Sequence, residues 1–162
     1  MNALFRHGPY LKLITRDGIN SGLIEEKEIE VEDDNGTIYR YLMPVDGGAS
    51  DTDGASNPWL AQVISHLIGL NIDPYGDYYP GAVVHDFIFR RKILQWLNGQ
   101  WQKPTYVVSG ANPAIGQMDM DRANRIFRAL MFGLGTDNAK ATVMFEALQE
   151  FGNKAWNDDA GV

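Results

Sequence analysis

His85 and Asp86 stand side by side in an otherwise apolar stretch, residues 81–90, that predicts a helix. Burying two ionisable groups there is costly unless each finds a partner or a metal ion. Successive side chains on a helix point about 100° apart, so the two cannot form a His–Asp pair with each other. Each therefore needs a partner from another element. The predicted chemistry is general base catalysis at His85 and divalent cation binding at Asp86.

A second predicted helix, residues 118–134, supplies the candidate partner of His85. Asn124 lies on the same face as the apolar Phe127, so its amide is the polar group expected to reach the interior. If the two helices pack antiparallel, Asn124 accepts a hydrogen bond from one ring nitrogen of His85. The other ring nitrogen is then left to act on a water molecule.

The Gly-rich loop at residues 45–56 offers oxygen ligands for a cation. Asp53 and Gly54 are expected to join Asp86 around a divalent metal ion, because such ions prefer hard oxygen ligands. Two alternatives stay open at this point. The loop is otherwise a turn that caps the next helix. The His85 and Asp86 side chains are otherwise buried hydrogen-bonding groups that brace the helices.

The composition limits the class of protein. The chain has 162 residues, no cysteine, and 21 acidic against 14 basic side chains, with a net charge of −7. Disulfides and thiolate metal sites are thereby excluded. Non-specific nucleic-acid binding is not expected, because the negative charge would be repelled by a phosphate backbone. No apolar run is long enough to predict a transmembrane segment, and the first residues do not resemble a signal peptide.

The elements that must position these residues are predicted to form a single domain, residues 1–162. Residues 1–50 predict β structure, and Asn35-Gly36 between two alternating runs predicts a hairpin whose central residues both take positive φ. Residues 51–157 are predicted to be helical. The expected fold class is therefore α+β, an N-terminal antiparallel hairpin or small sheet followed by helices that dominate the fold.

Four helices are predicted in the helical part. Proline at the first helical position and glycine after the last one are the boundary signals. The helices are expected at about residues 58–69, 80–98, 118–134 and 136–155. Together they would form a four-helix bundle, with Thr136 as the cap of the last helix. The last helix is expected to pack through an apolar face that includes Phe145.

Several short motifs resemble the bacterial and fungal phospholipase A2 family. They are residues 53–56 (Asp-Gly-Ala-Ser), 74–76 (Pro-Tyr-Gly), 85–87 (His-Asp-Phe) and 89–90 (Phe-Arg). The resemblance implies a phospholipase A2-like bundle, Ca²⁺ as the cofactor and phospholipid as the substrate. It also implies His85 as the general base, with Asp86, Asp53 and Gly54 as the calcium ligands.

Two positions depart from that family's pattern. Asn124 stands where the family has the Asp that orients the catalytic His, and Phe89 replaces a Tyr whose hydroxyl would join the network. A neutral amide can hold the ring by a hydrogen bond, but it cannot stabilise an imidazolium by charge. Asp121, one turn before Asn124, is the residue expected to substitute. The candidate catalytic set is thus His85, Asn124 and Asp121.

The same segments resemble an uncharacterised family of phage- and prophage-encoded proteins, domain of unknown function 1353. The matching motifs are residues 52–58, 85–86, 123–127 and 152–156. This resemblance covers more of the chain than the first and is the more specific of the two. It implies a viral origin and brings no established activity with it.

The leading prediction is a structural or accessory virion protein, associated with the tail or capsid, that keeps the His–Asp site as a brace. Its partners would be other phage virion proteins, in the virion or in the cytoplasm of the bacterial host. The alternative is a calcium-dependent, phospholipase-like acyl-ester hydrolase acting on host envelope lipid. A lesser alternative is a metal-dependent phosphohydrolase that uses His66, His85, Asp86 and either Asp119 or Asp121.

Overall fold

The computed structural model describes most of the chain on either side of one long internal segment. The described residues are 1–9, 11, 13–15, 21–23, 25–45, 77–110 and 112–158. The first predicted helix and the Gly-rich loop lie outside the described residues. The same holds for three predicted site residues, Asp53, Gly54 and His66.

The strands build one five-stranded sheet and two small pairs. In chain order they are β1 (Asn2–Phe5), β2 (Leu13–Thr15), β3 (Ser21–Leu23), β4 (Lys27–Glu32), β5 (Ile38–Met43), β6 (Leu94–Leu97), β7 (Gln100–Gln102), β8 (Thr105–Tyr106) and β9 (Gln117–Met118). The large sheet has the order β1-β4-β5-β6-β7, and all its neighbours are antiparallel. Strands β8 and β9 pair in parallel.

The predicted N-terminal hairpin is confirmed, but its turn differs from the predicted one. Ile29 and Val31 of β4 are buried and lie opposite β5 residues in the antiparallel register. In the turn, Gly36 has a φ of +77°, whereas Asn35 does not take positive φ. The Gly36 amide donates to Asp33 O at 3.1 Å. The turn is therefore longer than the two-residue type that the Asn-Gly pair predicts.

Replacing Gly36 with Ala is expected to lower the free energy of unfolding by about 1 kcal/mol. The cost is one of backbone strain, because a Cβ at Gly36 would approach no atom closer than Glu32 Oε1 at 4.0 Å. Gly36→Asn is the matched control, since asparagine tolerates the left-handed region better than alanine does. Urea denaturation followed by circular dichroism measures both, and an equal loss for the two variants would contradict this explanation.

The described part of the chain has three helices: α1 (Tyr79–Phe89), α2 (Met120–Gly133) and α3 (Asn138–Asp158). The prediction of a four-helix, phospholipase A2-like bundle is wrong. The α+β class and the N-terminal antiparallel sheet are confirmed. The helices pack on one another and on the sheet, and α2 contacts β1 directly.

The second predicted helix is also shorter than expected, because the segment that follows the His–Asp pair folds differently. Helix α1 ends at Phe89, and Arg91 takes a left-handed φ of 59°. The chain then forms the β6–β7 hairpin, whose turn residues Asn98 and Gly99 have φ values of 52° and 80°. Two positive φ values suit the twist of a two-residue hairpin. The end of the second predicted helix and the residues that follow it therefore add two strands, β6 and β7, to the sheet.

Helix α1 is buried on all sides. Every residue from Gly81 to Phe89 is buried, as expected of a helix that is apolar around its circumference. Its Phe87 belongs to the same core cluster as Ile29 of the sheet. This central position explains why both His85 and Asp86 are buried although they point in different directions.

Aspartate side chains cap the N-termini of the other two helices. Asp119 Oδ1 accepts a hydrogen bond from the Arg122 amide at 2.8 Å and caps α2. Asp137 Oδ1 accepts from the amides of Ala139 and Lys140 at 3.0 and 3.2 Å and caps α3. The prediction that Thr136 caps this helix is wrong, since the cap is one residue later.

Candidate functional site

His85 lies in the contact between α1 and α2. Its Nε2 is 2.8 Å from Asn124 Oδ1, and the exposed fractions of the two residues are 1% and 0%. The predicted contact is thus confirmed. The helices run antiparallel, because a Cβ at Gly81 would lie 3.3 Å from Leu130 Cβ, whereas His85, one turn later, meets Asn124.

Asn124 connects His85 to the third helix. Asn124 Nδ2 donates to Gln149 Oε1 at 2.8 Å, and Gln149 Nε2 donates to Asp121 Oδ1 at 2.6 Å. We call these four residues (His85, Asn124, Gln149 and Asp121) the amide bridge. An amide oxygen accepts, so the contact between His85 Nε2 and Asn124 Oδ1 is a hydrogen bond when Nε2 carries a hydrogen. The amide bridge ties α1, α2 and α3 together.

Asp121 lies at the outer end of the amide bridge. It is connected to His85 through the side-chain amides of Gln149 and Asn124. A cavity of about 540 Å³ opens between the β4–β5 turn and the start of α2, and Asp121 lines it together with Arg122 and Arg125. The Asp121 side chain is half-buried. Its carboxylate can therefore be hydrated on the cavity side while Oδ1 accepts from Gln149.

Two phenylalanine rings flank the imidazole. The centroid of the His85 ring is 4.2 Å from that of Phe89 and 5.2 Å from that of Phe127. Phe89 also packs edge-on against Trp156, at 5.1 Å. Phe89, at the position where the phospholipase resemblance expects a tyrosine, therefore contributes packing and brings no hydroxyl to the imidazole.

The predicted calcium ligands are described only in part. Asp86 is buried on α1, while Asp53 and Gly54 lie outside the described residues. Within the ranges that the structure does describe, no group of three or more His, Asp or Glu side chains is placed to hold a metal ion. A buried carboxylate such as Asp86 is the type of ligand that Ca²⁺ takes. Calcium binding stays a prediction.

Asp119 caps α2 through one carboxylate oxygen, while its other carboxylate oxygen is buried without a hydrogen bond from the described residues. The residue is buried, and its Oδ2 has no hydrogen-bond partner among the described residues. Burial raises the pKa of the Asp119 carboxyl above its ordinary value of 3.8, and the Arg122 amide opposes this shift. A charged carboxylate is therefore less favourable here than in the unfolded chain.

The stability of the protein relative to an Asp119→Asn variant is expected to fall as the pH rises. The proton is bound more tightly in the folded state, so its contribution is complete below pH 3.8, the ordinary value, and is lost as the pH rises through the raised pKa. Asparagine keeps the capping oxygen. Urea midpoints measured across this pH range test the prediction, and a difference between the proteins that does not change with pH would contradict it.

Gln149 is the site residue that the sequence reasoning missed. The apolar spacing on the last helix drew attention to residues such as Phe145, whereas Gln149 is polar and follows Phe145 by one turn. The spacing of four residues between Phe145 and Gln149 could have identified Gln149, because residues four apart lie on the same face of a helix. A glutamine on an apolar face needs a buried partner.

The comparisons with known proteins place the chain in a family. Residues 27–148 match the family described as Protein of unknown function (DUF1353). This range covers well over half of the sequence, includes His85, Asp121 and Asn124 of the amide bridge, and ends one residue before Gln149. The chain belongs to this family. Searches of curated proteins and of solved structures each found no match.

The described helices were also compared with what a membrane span requires. In the part of the chain that the structure describes, none is both long enough and apolar enough to cross a membrane. The longest, α3, spans Asn138–Asp158 and carries charged residues along its length.

Proposed function

We propose that the protein is a phage-encoded structural or accessory virion protein, associated with the tail or capsid, in which the His–Asp site braces the helices. One observation carries the structural part of this proposal: the orienting partner of His85 is the neutral amide of Asn124, inside a fully buried contact. A hydrolytic histidine usually has a carboxylate there, which stabilises the imidazolium formed during proton transfer.

The amide bridge suits a structural role because it satisfies polar groups from three helices at once. Leaving a buried donor or acceptor without a partner costs about 1–3 kcal/mol, so such a network specifies one arrangement of the helices. The phage and virion part of the proposal rests on the resemblance of the motifs at residues 52–58 and 85–86. The family match itself assigns no role.

The test of this proposal is made in the phage or prophage that encodes the chain. The gene is deleted, and purified particles are examined by mass spectrometry, electron microscopy and plaque assay. We expect the wild-type particles to contain the protein and the deletion to lower the yield of infectious particles. Intact, infectious particles from the deletion strain, together with absence of the protein from purified wild-type virions, would reject the proposal.

The second candidate function is a calcium-dependent acyl-ester hydrolase acting on host envelope lipid. The observation that favours it is the placement of His85, whose Nε2 lies 2.8 Å from Asn124 Oδ1, because a histidine held by one ring nitrogen can act as a general base through the other. Bound calcium, held by Asp86 with Asp53 and Gly54, would stabilise the developing oxyanion. No contact among the described residues favours the phosphohydrolase over this reaction.

The hydrolase proposal is tested by release of fatty acid from phosphatidylglycerol vesicles, with calcium or with a chelator. The activity is expected to require calcium, to disappear in His85→Ala, and to persist in Glu150→Gln, a control at an exposed carboxylate of α3. Equal, near-zero rates for the wild type and His85→Ala would end this proposal and leave the structural one.

A further inference from the structure

We propose that Asp121 and Gln149 are positioning residues that hold His85 in a single tautomer, with the hydrogen on Nε2 and the lone pair on Nδ1. Neither residue contacts the imidazole. Both act through Asn124, which is the only member of the amide bridge that bonds to His85. The inference rests on the hydrolase proposal only for its catalytic consequence, because the tautomer itself exists whether or not the protein acts on a substrate.

Asp121 fixes which group donates and which accepts in each hydrogen bond of the amide bridge. An ionised carboxylate has no hydrogen to donate, so the Gln149 group 2.6 Å from Asp121 Oδ1 must be the amide nitrogen. The Gln149 oxygen then faces Asn124 and requires a donor, which is Asn124 Nδ2 at 2.8 Å. This leaves the Asn124 oxygen for His85, and an oxygen can hold Nε2 only if Nε2 carries the hydrogen.

The opposite tautomer is excluded by a clash at the far end of the amide bridge. If the hydrogen were on Nδ1, His85 Nε2 would need a donor, and Asn124 would have to turn its amide round. Gln149 would then have to turn as well, which would place its oxygen 2.6 Å from the Asp121 carboxylate. Two acceptors at that distance repel each other, so the half-buried Asp121 carboxylate decides which nitrogen of the buried His85 ring carries the hydrogen.

The consequence for chemistry is that one named nitrogen, Nδ1, is the proton acceptor of His85. In a hydrolase, this arrangement would replace the direct carboxylate by a carboxylate acting at a distance through two amides. It would orient the base without placing a charge beside it. Asp121 was predicted to replace directly the Asp that orients the histidine. In this arrangement Asp121 instead orients His85 indirectly, through Gln149 and Asn124.

The tautomer is measured directly by two-bond ¹H–¹⁵N correlation spectra of the histidine side chains in the full-length protein at neutral pH. The wild type is expected to show one pattern for His85, with Nε2 protonated and Nδ1 unprotonated. In Asp121→Asn both amides can turn, and the two nitrogen signals are expected to move toward each other as the tautomers mix. The control is Glu150→Gln, which removes an exposed carboxylate from α3 and should leave the His85 pattern unchanged.

A double variant that moves the carboxylate from position 121 to position 149 distinguishes an effect on the His85 tautomer from an effect on folding. In the double variant Asp121→Asn with Gln149→Glu, the carboxylate at position 149 accepts from Asn124 directly, and the wild-type pattern should return. A wild-type ring protonated on Nδ1 would overturn the inference, as would an unchanged pattern in Asp121→Asn or a mixed pattern in the double variant. If Asp121→Asn does not fold, the double variant alone still decides. Hydrolase activity is not part of this readout, so the two proposals can fail separately.

Discussion

Replacing Trp156 with Ala is expected to lower the free energy of unfolding by about 4 kcal/mol, the largest effect of a single substitution that we predict. Trp156 is 3% exposed and packs edge-on against Phe89 at 5.1 Å. The Arg91 guanidinium lies 3.8 Å from the centre of its ring, and its Nε1 donates to Val107 O at 3.4 Å. Removing the indole therefore leaves a cavity where the end of α3 meets the end of α1.

Chemical denaturation measures this loss, and Trp96→Ala is the matched control. Trp96 is 38% exposed, and its ring packs against Trp101 at 5.1 Å. The Trp96 side chain already contacts solvent. Its removal therefore leaves a smaller cavity and should lower the free energy of unfolding by less. An equal or larger loss for Trp96→Ala would contradict the view that the end of α3 is anchored by Trp156.

The second large effect is expected at Asn124, where substitution by Leu should lower the free energy of unfolding by about 3 kcal/mol. Leucine has a similar size, so the loss arises from hydrogen bonding. His85 Nε2 and Gln149 Oε1 both lose their partner, and the leucine side chain offers neither of them a replacement. Asn153→Leu, at an exposed position on α3, is the control and should change stability by less than about 0.5 kcal/mol.

A double substitution tests whether the contact between His85 and Asn124 is a hydrogen-bonded brace. Replacing both partners of a buried hydrogen bond by apolar groups removes the unpaired donor as well as the acceptor. His85→Leu with Asn124→Leu should therefore destabilise the protein by less than the sum of the two single substitutions. Additive losses would show that the two side chains are not energetically coupled, contrary to the brace.

The two Asn-Gly pairs show how far local sequence signals reach. Asn35-Gly36 was interpreted as a hairpin, and the hairpin forms, although only Gly36 takes positive φ. Asn98-Gly99 has the same letters and forms the two-residue turn with both φ positive, but an apolar run before it favoured a helix. Residues 94–97 form a short run that is apolar except for Gln95, and such a run suits a strand as well as a helix. Pairing with β5 decided the outcome.

Local spacing identified the centre of the site but not its full extent. The spacing of Asn124 and Phe127 along one helical face predicted the contact with His85, which the structure contains. Gln149 is 64 residues from His85 in the numbering and belongs to a helix whose face was judged by its apolar residues alone. No pattern within α2 or α3 states that an amide on one helix bonds to an amide on the other.

By itself, the sequence determined that a helix carries His85 and Asp86 in an apolar setting, that a hairpin precedes it, and that the chain has no thiol chemistry. These properties depend on residue types and on neighbours within a few positions. Only the tertiary structure decided that the helices pack on a five-stranded sheet, and that two amides connect His85 to Asp121. Strand pairing and hydrogen bonds between helices depend on which distant segments meet, and that is settled by the burial of the whole core and the partners its polar groups must find.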